Sequence, residues 1–140
     1  MHLRFTFESL NTLNSPGEYM RYYRQLRGLT TRQLAEKLKI VPATVLAYEQ
    51  GCFPIPYEIS VVASQILQIS ESVLFDDFCV FLGAPYTEIL HTVRKHHGLT
   101  QVDFAESAGI SPSIYMKWES GSRRPSRKKY QQLKAIYPEI

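Results

Sequence analysis

One short device recurs at a fixed spacing in this chain. Residues 28–41 read GLTTRQLAEKLKIV, and residues 98–111 read GLTQVDFAESAGIS. Sliding the chain against itself by 70 positions lays residues 16–56 on 86–126 without a gap, and 11 of the 41 positions are identical. The identities are Glu18/Glu88, Arg24/Arg94, Gly28/Gly98, Leu29/Leu99, Thr30/Thr100, Ala35/Ala105, Glu36/Glu106, Ile40/Ile110, Pro42/Pro112, Glu49/Glu119 and Gly51/Gly121. Leu34/Phe104, Val45/Tyr115 and Tyr48/Trp118 exchange one apolar or aromatic residue for another. Self-similarity at a single period marks a repeated structural unit, so the fold must fit twice into 140 residues. Units of 60–70 residues bury only about 60% of their unfolded surface, so the two are expected to lean on each other or on a second chain.

Each copy reads as short helices. Ser15-Pro16-Gly17-Glu18 combines a cap, a proline at the first helical position and a capping-box glutamate. The helix it opens is expected to run to about Arg27 and to end at Gly28. Thr30 with Gln33, and Thr100 with Asp103, open the next helix, which carries Leu34, Ala35 and Leu38 or Phe104, Ala105 and Ala108 on one face. After a turn of about three residues, Pro42, or Ser111 ahead of Pro112, opens a short helix that closes at Gly51 or Gly121. A further helix is expected over about 57–67 and, capped by Ser126, over about 126–136. The first copy alone adds another, from Ser70 to about Phe78.

Composition narrows the function classes. The chain is 44% hydrophobic and 21% charged, within ordinary globular usage, and has no apolar run of the length a membrane span needs. Its N-terminus lacks the apolar core and small residues of a secretion signal. Cys52 and Cys79 lack C-x-x-C spacing and read as reduced residues of a cytoplasmic protein. The net charge of +3 is unevenly spread: residues 1–78 hold seven Lys/Arg and eight Asp/Glu, residues 79–140 nine and five. RRPSRKK at 123–129 supplies five of those nine cations, which makes the second half the expected home of a polyanion.

Two short helices joined by a tight turn, the second beginning with a cap, make the helix-turn-helix arrangement. GLTQ…FAESAGIS…YMKWESGSRRPS resembles the Cro/C1-type (XRE-like) helix-turn-helix family of phage repressors and bacterial regulators. GLTTRQLAEKLKIV…VLAYEQG resembles it as well. The resemblance implies an all-α protein of two lambda-repressor-like bundles, each of about four to five short helices. The expected division is an N-terminal arm over 1–14, a first domain over 15–78, a short apolar linker over 79–84 and a second domain over 85–140. That linker is expected to hold the two units packed and fixed.

In this family the helix after the turn enters the major groove. Carried over by motif position, the resemblance turns Gln101, Ser111, Ser113, Met116 and Lys117 of the second copy toward DNA. It places Arg123 and Arg124 on the backbone, with Arg127, Lys128 and Lys129 at the start of the next helix. Gln suits adenine, Lys suits guanine, and cations suit phosphate oxygens. In the first copy the nearby residues are Thr31, Arg32, Val41, Ala43, Thr44, Leu46 and Ala47, and CFPIP replaces Ser-Arg-Arg-Pro. Such a face touches thymine methyls and little else. The first copy is therefore expected to be a weak reader or a protein-contact module, with Leu46, Phe53 and Ile55 as an exposed partner surface. The resemblance also makes Arg24 with Glu49, and Arg94 with Glu119, structural ion pairs.

HLRFTF alternates, with Leu3, Phe5 and Phe7 on one face. It either packs as an extended arm or strand on its own domain or pairs with its mate to make a homodimer. His91, His96 and His97 lack the i, i+4 spacing of a metal site, and no nucleophile is paired with a base. No cofactor, metal or enzymatic activity is expected. The expected function is sequence-specific double-stranded DNA binding by a transcriptional regulator of bacterial or phage repressor type. A protein-binding adaptor, antagonist or antitoxin on the same scaffold is the alternative.

Overall fold

The computed structural model describes residues 13–140. The described residues form nine α-helices and one 3₁₀ turn, with no strand. They divide into two compact units, the first ending at Cys79 and the second running from Val80 to Ile140.

The first unit contains α1 (Pro16–Leu26), α2 (Thr31–Leu38), α3 (Pro42–Glu49) and α4 (Tyr57–Leu67), followed by the 3₁₀ turn Glu71–Val73. Local chemistry sets the helix ends. Ser15 accepts the Glu18 N–H, and Glu18 turns back on the Asn14 N–H and the Ser15 hydroxyl. Thr30 and Gln33 form a reciprocal capping box, each side chain accepting the other's backbone N–H, at 3.1 and 2.9 Å. α1 packs on α3 and α4, and α2 packs on the same two helices. Their inward residues, Met20, Leu34, Ala35, Leu38, Val45, Tyr48, Ala63 and Leu67, form one core that Leu74 closes from beyond the 3₁₀ turn. Arg27 donates to the Leu67 carbonyl at 2.8 Å and ties the end of α1 to the end of α4.

α5 (Asp77–Gly83) contains the point at which the chain passes from one unit to the other. The helix expected from Ser70 to Phe78 is instead the 3₁₀ turn and, after a break, α5. Residues expected as a linker over 79–84 are helical as far as Gly83. The reason is a cap: the Asp76 carboxylate accepts the Cys79 N–H at 3.0 Å. Asp76 and Asp77, which fall at the end of the helix expected from Ser70 to Phe78, stand at a helix start.

The second unit continues with α6 (Tyr86–His96), α7 (Gln101–Ser107), α8 (Pro112–Ser120) and α9 (Arg127–Ile136). Thr100 accepts the Asp103 N–H and Ser126 the Lys129 N–H, as their sequences predict. Ser111 is the N-cap of α8, but its hydroxyl meets that of Ser113 at 3.0 Å and makes no cap hydrogen bond. The core is aromatic. Phe104 stacks on Tyr137 with ring centres 4.2 Å apart and tilts against Tyr115, which meets Trp118 edge-on.

Helix starts in the two units differ by 70 positions in every case: 16 and 86, 31 and 101, 42 and 112, 57 and 127. Buried positions correspond as well, including Met20/Leu90, Leu34/Phe104, Val45/Tyr115, Tyr48/Trp118 and Ala63/Leu133. Volume is exchanged within this pattern. Where the second unit has Tyr130, packed on Phe81 at 4.8 Å, the first has Ser60, whose hydroxyl reaches the Leu74 carbonyl at 3.4 Å. The small Ser60 side chain thus lets the Leu74 backbone come within reach of α4.

Ile55 is buried at 5% exposure and belongs to the first core, which corrects its expected place on an exposed surface. Its counterpart Pro125 is also buried, so this position anchors the loop inward in both units. The N-terminal arm with Leu3, Phe5 and Phe7 lies outside the described residues. Among the described residues, no helix is long and apolar enough to cross a membrane.

Candidate nucleic-acid interface

The turn before α8 is built by the backbone. Gly109 has φ of 71°, and the Ile110 N–H returns to the Ala105 carbonyl at 2.9 Å, sinking the Ile110 side chain into the core. In the first unit Lys39 takes the same left-handed conformation at φ of 59°, and the Ile40 N–H bonds to the Ala35 carbonyl at 3.0 Å.

α8 is held from behind. Tyr115 and Trp118 point inward three residues apart, which leaves Ser111, Ser113, Met116 and Lys117 exposed on the other face. Arg94 clamps the far end of the helix, with Nε and Nη2 donating to the two Glu119 oxygens at 3.0 and 2.7 Å and Nη1 donating to the Leu99 carbonyl at 3.0 Å. Burial acts to raise the Glu119 carboxyl. The hydrogen bonds from Arg94, with smaller help from Tyr115 and Gln101, outweigh it and leave Glu119 below its ordinary value. Its hydrogen bond to Glu119 leads the effects that raise Arg94, against its own desolvation. Burial, first of all, raises the Tyr115 phenol. Gln101, at the start of α7, is half-buried.

Beyond α8 the chain folds back over the helix end. Gly121 caps it at φ of 81°, and the Arg123 N–H donates to the Lys117 carbonyl at 3.2 Å. The Ser120 hydroxyl donates to the same carbonyl at 3.1 Å. Arg123 and Arg124 are exposed, Pro125 is buried, and α9 opens with Arg127, half-buried, Lys128, exposed, and Lys129, half-buried. Three cations in the first turn of a helix oppose its dipole, whose N-terminal end is already positive. They raise the local potential, and an anion placed there relieves the repulsion. Lys117, Arg123, Arg124 and Lys128 are thus exposed on α8, the loop after it and the first turn of α9.

The first unit has the same scaffold with a different exterior. Arg24 holds Glu49 through two hydrogen bonds, at 2.7 and 3.0 Å, and donates to the Leu29 carbonyl at 2.9 Å. Outside, Val41 stands for Ser111, Ala43 for Ser113, Leu46 for Met116, Ala47 for Lys117, Phe53 for Arg123 and Glu58 for Lys128. Val41, Ala43, Leu46 and Phe53 are exposed, while Thr31, Thr44 and Ala47 are half-buried. Arg32, at the start of α2, is exposed. No Lys or Arg occurs from residue 40 to residue 93, a charge gap that the count over sequence halves concealed. The Ser120 hydroxyl folded onto the end of α8 is a further feature that the repeat does not signal. Among the described residues, no group of three or more His, Cys, Asp or Glu could hold a metal ion.

Residues 90–136 match a family model described as helix-turn-helix. The matched segment runs from within α6 to the last residue of α9 and lies wholly in the second unit. No curated protein and no solved structure matches the chain.

Proposed function

We propose that the protein is a sequence-specific double-stranded-DNA-binding regulator of transcription, of bacterial or phage repressor type, acting in the cytoplasm. α8 lies in the major groove, with Ser111, Ser113, Met116 and Lys117 toward base edges. Gln101, Arg123, Arg124 and Lys128 hold the flanking phosphates. The observation that carries this reading is the exposed cationic loop and helix start beside α8, within the segment that matches the helix-turn-helix model.

The first unit is, in this reading, a second copy of the same helix-turn-helix bundle that has given up reading. Support comes from the common helix starts, the two Arg–Glu clamps and the common buried positions. Without cations around α3 it lacks the counterion release that supplies nonspecific affinity, and Thr31, Arg32 and Thr44 offer few polar contacts. Ala43 and Ala47 touch methyl groups at most.

Titration of the chain against nonspecific duplex at two salt concentrations tests the proposal. Four to six phosphate contacts give a log–log salt slope of about −4 to −5. Absence of binding at low salt overturns it in favour of an adaptor or antitoxin, the reading that the apolar α3 face supports. Selection of bound sequences from random duplexes then gives the operator and its symmetry.

A further inference from the structure

We infer that Ser120 is a positioning residue for duplex binding: its side chain sets the register of the loop after α8 and so fixes where Arg123 stands beside Lys117. The inference rests on the DNA reading above and concerns how that surface is held in shape before a duplex arrives.

The two units close the same helix with different donors. In the first, the Gly51 N–H bonds to the Tyr48 carbonyl at 3.1 Å and the Cys52 N–H to the Ala47 carbonyl at 2.9 Å. These are the paired bonds by which a helix commonly ends at a glycine. In the second unit the Gly121 N–H makes the equivalent bond, to the Trp118 carbonyl at 3.1 Å. The Lys117 carbonyl, which stands for that of Ala47, is instead taken one residue late, by the Arg123 N–H at 3.2 Å.

Ser120 accounts for the shift, and Gln50 stands in its place in the first unit. The Ser120 Oγ accepts the Ser122 N–H at 3.4 Å, the group that would otherwise close onto Lys117. Its own proton goes to the Lys117 carbonyl at 3.1 Å. Two lone pairs on that carbonyl are filled by the Ser120 hydroxyl and the Arg123 N–H. The Ser122 hydroxyl, 3.1 Å from that of Ser120, completes the cluster. The Arg123 backbone is thereby tied to the residue whose side chain is the cation of α8.

Lys117, Ser120, Ser122 and Arg123 are all exposed, where single groups contribute little to folding. What the cluster does supply is a fixed root for a flexible guanidinium, which lowers the entropy lost when that side chain is ordered on a phosphate.

A double-mutant cycle on duplex affinity in the full chain, with melting recorded for each variant, tests the inference. Ser120→Ala is expected to weaken binding by about three- to tenfold, and Ser120→Thr, which keeps the hydroxyl, to restore it. In an Arg123→Ala background Ser120→Ala changes affinity by less than about twofold, because the residue it positions is gone. Equal losses in the two backgrounds overturn the inference. Amide exchange of the free chain supplies the second arm: in Ser120→Ala, slow exchange passes from the Arg123 N–H to the Ser122 N–H. Unchanged protection at Arg123 overturns it as well. If Ser120→Ala fails to fold, Ser120→Gln, which carries the residue of the first unit, takes its place in both arms. A wild-type chain that binds no duplex sinks the DNA reading and this role with it; a chain that binds while either arm fails sinks this role alone.

Discussion

Arg94 holds both oxygens of Glu119 and, with its third nitrogen, the Leu99 carbonyl, so one side chain fixes the end of α8 to α6 and to the turn before α7. Both partners are buried, with side chains 9% and 7% exposed. Loss of one partner strands the other. Glu119→Gln is expected to destabilise the chain by about 3 kcal/mol, and Glu49→Gln by a similar amount in the first unit. Urea denaturation with a double-mutant cycle for Arg94 and Glu119 measures the coupling, and a coupling below about 0.5 kcal/mol removes the clamp as an explanation.

The clamp also sets a response to acid. Because the folded state holds Glu119 below its ordinary value, its contribution is complete above the unfolded value, about 4.3. It is lost as the pH falls through the lower folded value, where the unfolded chain binds the proton first. Stability of the wild type should therefore fall more steeply with acid than that of Glu119→Gln. Equal slopes in a series of denaturation curves at decreasing pH contradict this.

Gly17 tests a close approach. A Cβ added there would collide with the Tyr48 carbonyl, so α1 crosses α3 at glycine distance. The second unit carries Thr87 at the equivalent place and leaves room for its Cβ. In an open helix position Gly→Ala gains up to about 1 kcal/mol. Gly17→Ala is instead expected to cost about 2 kcal/mol, as overpacking does. A rise in melting temperature would refute the crowding.

Lys117→Ala and Arg123→Ala separate binding from folding. Both side chains are exposed, so melting should shift by no more than about 0.5 kcal/mol. If each holds a phosphate, each replacement lowers the magnitude of the salt slope by about 0.9. If Lys117 reads a base, its replacement changes sequence preference and leaves the slope alone. Binding curves at several salt concentrations on cognate and scrambled duplexes tell these apart.

Much of the fold is legible because the helix ends are chemical. Ser15, Thr30, Thr100 and Ser126 cap where their sequences say. Gly28, Gly51, Gly98 and Gly121 take the positive φ that helix ends require. The stretch from Ser70 to Gly83 was less legible: an apolar run carries no phase of its own, and the deciding contact is one carboxylate on the Cys79 N–H. Ile55 misleads for a related reason. Between two prolines it reads as loop, but its depth follows from the place it shares with Pro125. The cationic loop is plain from RRPSRKK, whereas the Ser120 hydroxyl on the Lys117 carbonyl depends on how the chain folds back over the end of α8.

The coincidence of buried positions leaves outward identity free to vary at constant interior. Val41→Ser, Ala43→Ser, Ala47→Lys and Phe53→Arg together would touch no residue of the first core. The first unit is in that sense a blank of the second, cut to the same pattern and left unengraved. In the proposed reading those four exchanges, together with Leu46, Pro54 and Glu58 in place of Met116, Arg124 and Lys128, separate a unit that does not read a duplex from one that does.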